Sequence, residues 1–220
     1  MRDTAGRTTS LLGPLHRAAP PVTAAAAIVF LVLTWRYAGD AVAGRVDEGA
    51  WSAVDALPRA GLARAIGLGS PGFVVVAAAS LAGLALLLRR PRVAVLAVVG
   101  PGLTGVATTA LKPLIGRTID GDGFAFPSGH TGGAVSIGLV AAVLLIGAVP
   151  VVRPLAALSV LAGTVLLAGG VVGAGMVRIG AHYATDTIGG FCAALALGLG
   201  AAMAIDRIAD RRIGGTGPAR

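Results

Sequence analysis

Polar residues divide the chain into long apolar runs at roughly 22–39, 71–88, 93–111, 131–149, 154–176 and 184–204. A helix needs about 20 apolar residues to cross the hydrocarbon of a bilayer. The pattern therefore predicts six membrane-spanning helices. Ser70 can cap the first free N–H groups of the second span, and Pro71 suits its first turn. Gly100-Pro101 marks a potential kink in the third. Between the first two spans, 40–70 carries a balanced set of charges. The stretch VDEGAWSAVDALPRAGLARAIG there reads as a helical segment along the membrane interface, anchored by Trp51. The fold expected is an all-α integral membrane bundle with one added interfacial segment. The single domain spans 19–207, with fraying tails at 1–18 and 208–220.

Composition agrees with the pattern. Of 220 residues, 55% are hydrophobic and 13% charged, against about 25% charged in a soluble domain. The 34 glycines favour close helix packing, because small residues let backbones approach in lipid. The net charge of +8 would suggest nucleic acid in a soluble protein. Here the arginines gather at the ends of apolar runs, so no nucleic-acid partner is expected. Arg2, Arg7 and Arg17, then Arg89, Arg90 and Arg92, then Arg153, then Arg207, Arg211, Arg212 and Arg220 fall on one face of a six-span bundle. The positive-inside rule makes that face, with both termini, cytoplasmic. No cleavable leader is read at the N-terminus. Cys192, the one cysteine, excludes an internal disulfide.

The opposite, outer connections hold most of the unexplained polar residues. One reads LKPLIGRTIDGDGFAFPSGHTGG and offers Lys112, Arg117, Asp120, Asp122, Ser128 and His130. Another reads MVRIGAHYATDTIGG and offers Arg178, His182 and Asp186. Asp120 and Asp122 read as turn residues. His182 and Asp186 are four apart and share a face if helical. A carboxylate so placed can fix the imidazole tautomer and leave the other nitrogen free. Pro127-Ser128-Gly129-His130 opens the fourth span. Ser128 can cap, Gly129 permits close approach to the backbone, and the first N–H groups form an anion site. With Lys112, Arg117 and Arg178 nearby, that site suits a phosphate.

These residues resemble the type 2 phosphatidic acid phosphatase superfamily, which includes membrane lipid phosphatases and vanadium haloperoxidases. The family has three motifs: Lys, six residues, Arg-Pro; Pro-Ser-Gly-His; and Ser-Arg, five residues, His, three residues, Asp. The second is present whole at 127–130, the third keeps His182 and Asp186, and the first keeps Lys112. Ile119 and Asp120 stand where the first motif has Arg-Pro, and Gly175 and Met176 where the third has Ser-Arg. Arg117 and Arg178 each lie two residues from a missing arginine.

The resemblance implies a phosphatase whose His182 attacks phosphorus, Asp186 orients it, and His130 handles the leaving-group proton. Lys112, Arg117, Arg178, Ser128 and Gly129 would hold phosphate oxygens. It implies a lipid phosphate substrate of the phosphatidic acid, phosphatidylglycerol phosphate or polyprenyl phosphate class, with no cofactor and no metal. Two other readings stay open. One is a non-catalytic relative that binds lipid phosphate or scaffolds membrane partners, motivated by the missing arginines. The other is a metal site from His130, His182 and Asp186; a vanadate cofactor is less favoured still.

Overall fold

The computed structural model describes residues 10–119, 121–149 and 152–214. Eight α-helices account for most of it: α1 (Ala19–Tyr37), α2 (Arg45–Asp55), α3 (Arg59–Ile66), α4 (Pro71–Leu87), α5 (Pro91–Ile115), α6 (Gly129–Ala148), α7 (Pro154–Arg178) and α8 (Ala184–Gly214). A two-stranded antiparallel hairpin, β1 (Thr118–Ile119) and β2 (Asp122–Phe124), precedes α6. Among the described residues, five helices are long and apolar enough to cross a membrane. The pair Arg59–Gly69 and Pro71–Leu87, bent by 59°, can supply a sixth span. The chain is thus an all-α bundle of membrane type.

Burial orders the helices. The most apolar window of α6 is 72% buried, that of α1 only 11%. So α6 is the central post and α1 lies at the rim. Around α6 pack α4, α5, α7 and α8, with Val135, Leu139, Val140, Leu96, Leu161 and Leu199 in the shared core. Outward-facing Ile28, Leu31, Val75, Val106, Leu166 and Leu167 are exposed, as a lipid-facing surface requires. Ser70 accepts from Phe73 N (3.4 Å) and caps α4 ahead of Pro71. Helix α5 runs unbroken through both Pro101 and Pro113.

The glycine-rich sequence permits one crossing that matters for the site. A Cβ added at Gly190 on α8 would lie 2.2 Å from the carbonyl oxygen of Ser128. Only glycine lets α8 sit this close to the start of α6.

Three stretches depart from expectation: 208–214, read as part of a fraying tail, continues α8, while 215–220 lie outside the described residues, and the other two lie earlier in the chain. Residues 10–18 belong to the stretch read as a fraying tail, yet Leu11, Leu12 and Leu15 are buried in the main core. The cause is Asp206 on α8, which accepts from Ser10 Oγ (2.6 Å), Leu11 N (3.0 Å) and Leu12 N (3.3 Å). Arg92 completes this clasp, donating to Asp206 (2.9 Å) and Asp210 (2.8 Å). Residues 1–9 of the expected tail lie outside the described residues. The stretch 46–67, expected to be helical, falls largely in α2 and α3, and Trp51 is 47% exposed. One residue of α2, Asp47, instead turns inward and is buried.

Candidate active site

The site assembles at the end of the bundle where α5 finishes and α6 and α8 begin. Helix α5 stops at Gly116, whose left-handed conformation (φ +73°) lets its N–H reach Lys112 O at 3.0 Å. That turn redirects the chain so that Arg117 enters the protein. Lys112 lies one turn before the helix end and donates from Nζ to Phe124 O (3.1 Å) on β2.

Ser128 caps α6 as expected, accepting from Thr131 N (3.4 Å), and is fully buried. Its own N–H donates to the backbone oxygen of Asp186 (3.0 Å). This bond, at the close crossing allowed by Gly190, ties the Pro127–His130 segment to the first turn of α8. A Cβ at Gly129 would meet only Thr108 Oγ1, at an ordinary 3.5 Å. His130 is partly buried and within electrostatic reach of both His182 and Lys112. Residues from all three sequence segments therefore meet in space.

His182 and Asp186 do pair, but not along a helix face. His182 sits in the turn before α8, and Asp186 lies in the first turn of α8. Asp186 Oδ2 accepts from Tyr183 N (2.9 Å), the backward half of a capping box. That cap holds the carboxylate beside the histidine, with Nδ1 of His182 3.6 Å from Oδ2. This is longer than a hydrogen bond, and among the described residues Nδ1 has no hydrogen-bond partner.

Arg117 departs from the role expected of it. It is fully buried, and its guanidinium faces carboxylates rather than an open phosphate site. Nη1 donates to Asp186 Oδ1 (2.6 Å) and Thr185 Oγ1 (2.6 Å), and Nη2 to Asp47 Oδ2 (2.9 Å). The rings of Tyr37 and Tyr183 cover it at 4.0 and 4.7 Å from their centroids. Such stacking on a desolvated guanidinium is favourable by roughly 0.5–2 kcal/mol. Arg178 is also engaged elsewhere: at the end of α7 it pairs with Asp55 of α2 at 3.1 Å.

Asp47 is the residue that sequence reasoning missed. It accepts from Thr185 N (2.9 Å), Thr185 Oγ1 (2.8 Å), Gly44 N (3.0 Å) and Arg117. Burial alone would raise its pKa. The hydrogen bonds from Thr185 and Gly44, with the Arg117 charge, outweigh that and hold the carboxyl below its ordinary value. Among the described residues, no group of three or more histidines, cysteines and acids is arranged to hold a metal ion, and His130, His182 and Asp186 form no such group.

Residues 109–209 match the family model of the PAP2 superfamily. They include Lys112, Ser128, His130, His182 and Asp186, and leave out Asp47. No curated protein and no solved structure matches the chain. The family match supports phosphatase activity on phosphate esters, carried by a helical bundle of membrane type.

Proposed function

Because residues 109–209 match the family model of the PAP2 superfamily, we propose that the chain is a membrane phosphatase acting on the phosphomonoester or pyrophosphate head of a lipid phosphate. The observation that carries this reading is the Ser128 N to Asp186 O bond. It locks the helix start bearing His130 against the turn bearing His182, with Lys112 close by.

The residues brought together support a two-step displacement. With its Nδ1 proton toward Asp186, His182 presents Nε2 as the nucleophile. Nε2 bonds to phosphorus as the bond from phosphorus to the lipid oxygen breaks, and His130 gives that oxygen a proton. Water then attacks phosphorus, its proton passes to His130, and the phosphorus–nitrogen bond breaks to release phosphate. This divides one displacement into two, with proton transfer worth roughly 10²–10⁴-fold. Lys112 and the N–H groups opening α6 face the non-bridging oxygens. No step needs a metal ion. A lipid tail is favoured by an apolar cavity of about 340 Å³ beside the site, between α2, α6, α7 and α8, lined by Thr131, Gly173, Ala184, Ile188 and Phe191. The arginine distribution favours a site on the outer face and cytoplasmic termini.

The test is release of phosphate from phosphatidic acid in detergent, with and without chelator. Turnover should survive chelation and vanish in His182→Ala, with a trapped phosphoenzyme seen only when His182 is present. Chelator-sensitive turnover that His182→Ala leaves intact would refute the mechanism. A second reading, a relative that binds lipid phosphate without turning it over, is favoured by one observation. Arg117 and Arg178, two of the three cations expected at the phosphate, both face carboxylates. It requires saturable binding with no phosphoenzyme.

A further inference from the structure

The carboxylate that supports His182 is itself held by an arginine, and this raises a problem of charge. Arg117 Nη1 lies 2.6 Å from Asp186 Oδ1. An arginine and an aspartate in such contact form a neutral pair. Beside a neutral pair, a histidine that takes up a phosphoryl group and becomes cationic gains little. The interior amplifies this, because charges there interact several-fold more strongly than in water.

Asp47 changes the sum. It stands on the other side of the same guanidinium, 2.9 Å from Nη2. Two carboxylates and one guanidinium leave one net negative charge. The cluster then becomes neutral when the His182 ring becomes positive. Asp47 also grips the first turn of α8, through Thr185 N (2.9 Å) and Thr185 Oγ1 (2.8 Å), next to Asp186 in sequence. All of this is shut from water: Arg117 and Asp186 are 0% exposed and Asp47 2%. Tyr37 and Tyr183 close over the guanidinium.

We propose that Asp47, on a helix outside the family-matched region, is a positioning residue for the phosphatase reaction: through Arg117 and Thr185 it fixes Asp186 and restores the negative charge that stabilises a cationic His182. This rests on the phosphatase reading above. The charged and titratable groups around His182 are Asp186 on α8, Arg117 after α5, Asp47 on α2, His130 on α6 and Lys112 on α5.

The experiment uses the full chain in detergent with a short-chain phosphatidic acid. Phosphate release is followed across pH for wild type, Asp47→Asn, Asp47→Asn/Arg117→Gln and His182→Ala, with a melting midpoint for each. Asp47→Asn removes one negative charge, so kcat should fall roughly tenfold to a hundredfold, a transition-state loss with KM within about twofold. The acidic limb of the pH profile should move to lower pH, because a less negative surrounding disfavours the cationic ring. The double variant removes one charge of each sign and restores the net. Its kcat should exceed that of Asp47→Asn, and its acidic limb should return toward that of wild type. A merely structural role predicts the reverse, with the double variant no better than the single.

Wild-type kcat and pH profile in Asp47→Asn, or a double variant at or below the single, would overturn the proposal while leaving the phosphatase reading in place. A wild type whose phosphate release equals that of His182→Ala would overturn both. Should Asp47→Asn fail to fold, the double variant decides alone. Folded and active, it supports the charge argument; folded and inactive, it removes it.

Discussion

Replacing Arg117 by methionine tests the buried network most directly. The side chain keeps its length and apolar stem but loses the guanidinium. Asp186 and Asp47, 0% and 2% exposed, are then left facing each other across an uncompensated space. Removing one partner from a buried ion pair costs about 3–5 kcal/mol, because the remaining charge stays desolvated. Here one cation serves two carboxylates, so the cost belongs at the upper part of that range. Loss of the Tyr37 and Tyr183 ring contacts adds to it. The Arg36–Asp40 pair is a control. Its side chains are 60% and 27% exposed, and exposed pairs of this kind contribute about 0–1 kcal/mol. Arg117→Met and the control Arg36→Met are to be compared by denaturant unfolding in one detergent, at neutral and at acid pH. Arg117→Met should be the weaker by several kcal/mol at neutral pH. The gap should narrow on acidification, because protonating either aspartate removes the uncompensated charge. A loss under about 1 kcal/mol at neutral pH, or one unchanged by acid, would refute the buried-network account, since stranding a buried charge costs far more than that.

Asp47 should leave an acid signature. Its carboxyl is held below the ordinary value, so the stability it contributes is fully present above about pH 4 and is lost as pH falls through the lowered folded value. The stability difference between wild type and Asp47→Asn, from unfolding curves at several pH values, should shrink toward pH 3. Gly190→Ala drives a Cβ to 2.2 Å from Ser128 O. Overpacking of this kind costs about 1–3 kcal/mol, and the displaced α6 start should lower kcat even well below the melting midpoint. Arg178→Ala breaks a pair with Asp55, which is 66% exposed, so unfolding should change by about 1 kcal/mol or less. Turnover measured alongside should stay within severalfold of wild type, whereas a large rise in KM would place Arg178 on the substrate.

The parts of the molecule legible in the sequence were those set by local pattern. Apolar runs of spanning length gave the bundle, and Ser70 and Ser128 gave two caps that the structure contains. What stayed hidden depends on distant partners. The charges of 40–70 form a balanced set in the sequence, and nothing within α2 reveals that Asp47 meets an arginine 70 residues away. The leucines at 11, 12 and 15 were a faint signal of packing, masked by the arginines around them and by an aspartate 195 residues along the chain. His182 and Asp186 were paired by their spacing, but a cap ahead of α8 does the work assigned to a helix face.

Arg117 carries the largest consequence. Sequence counts cations near a motif, but the direction of a guanidinium is set by what surrounds it. Gly116 was the available clue, since a left-handed residue at the end of α5 turns the next side chain away from the helix line. Turned inward, Arg117 meets Asp186 and Asp47, and Arg178 meets Asp55. Positive charge that the motif spacing assigned to the phosphate thus supports the carboxylates instead. On the proposed mechanism, Lys112 and the start of α6 are left to meet the phosphate oxygens. Variation at Lys112 should therefore weaken substrate binding, and variation at Asp47 or Arg117 should act on the nucleophile.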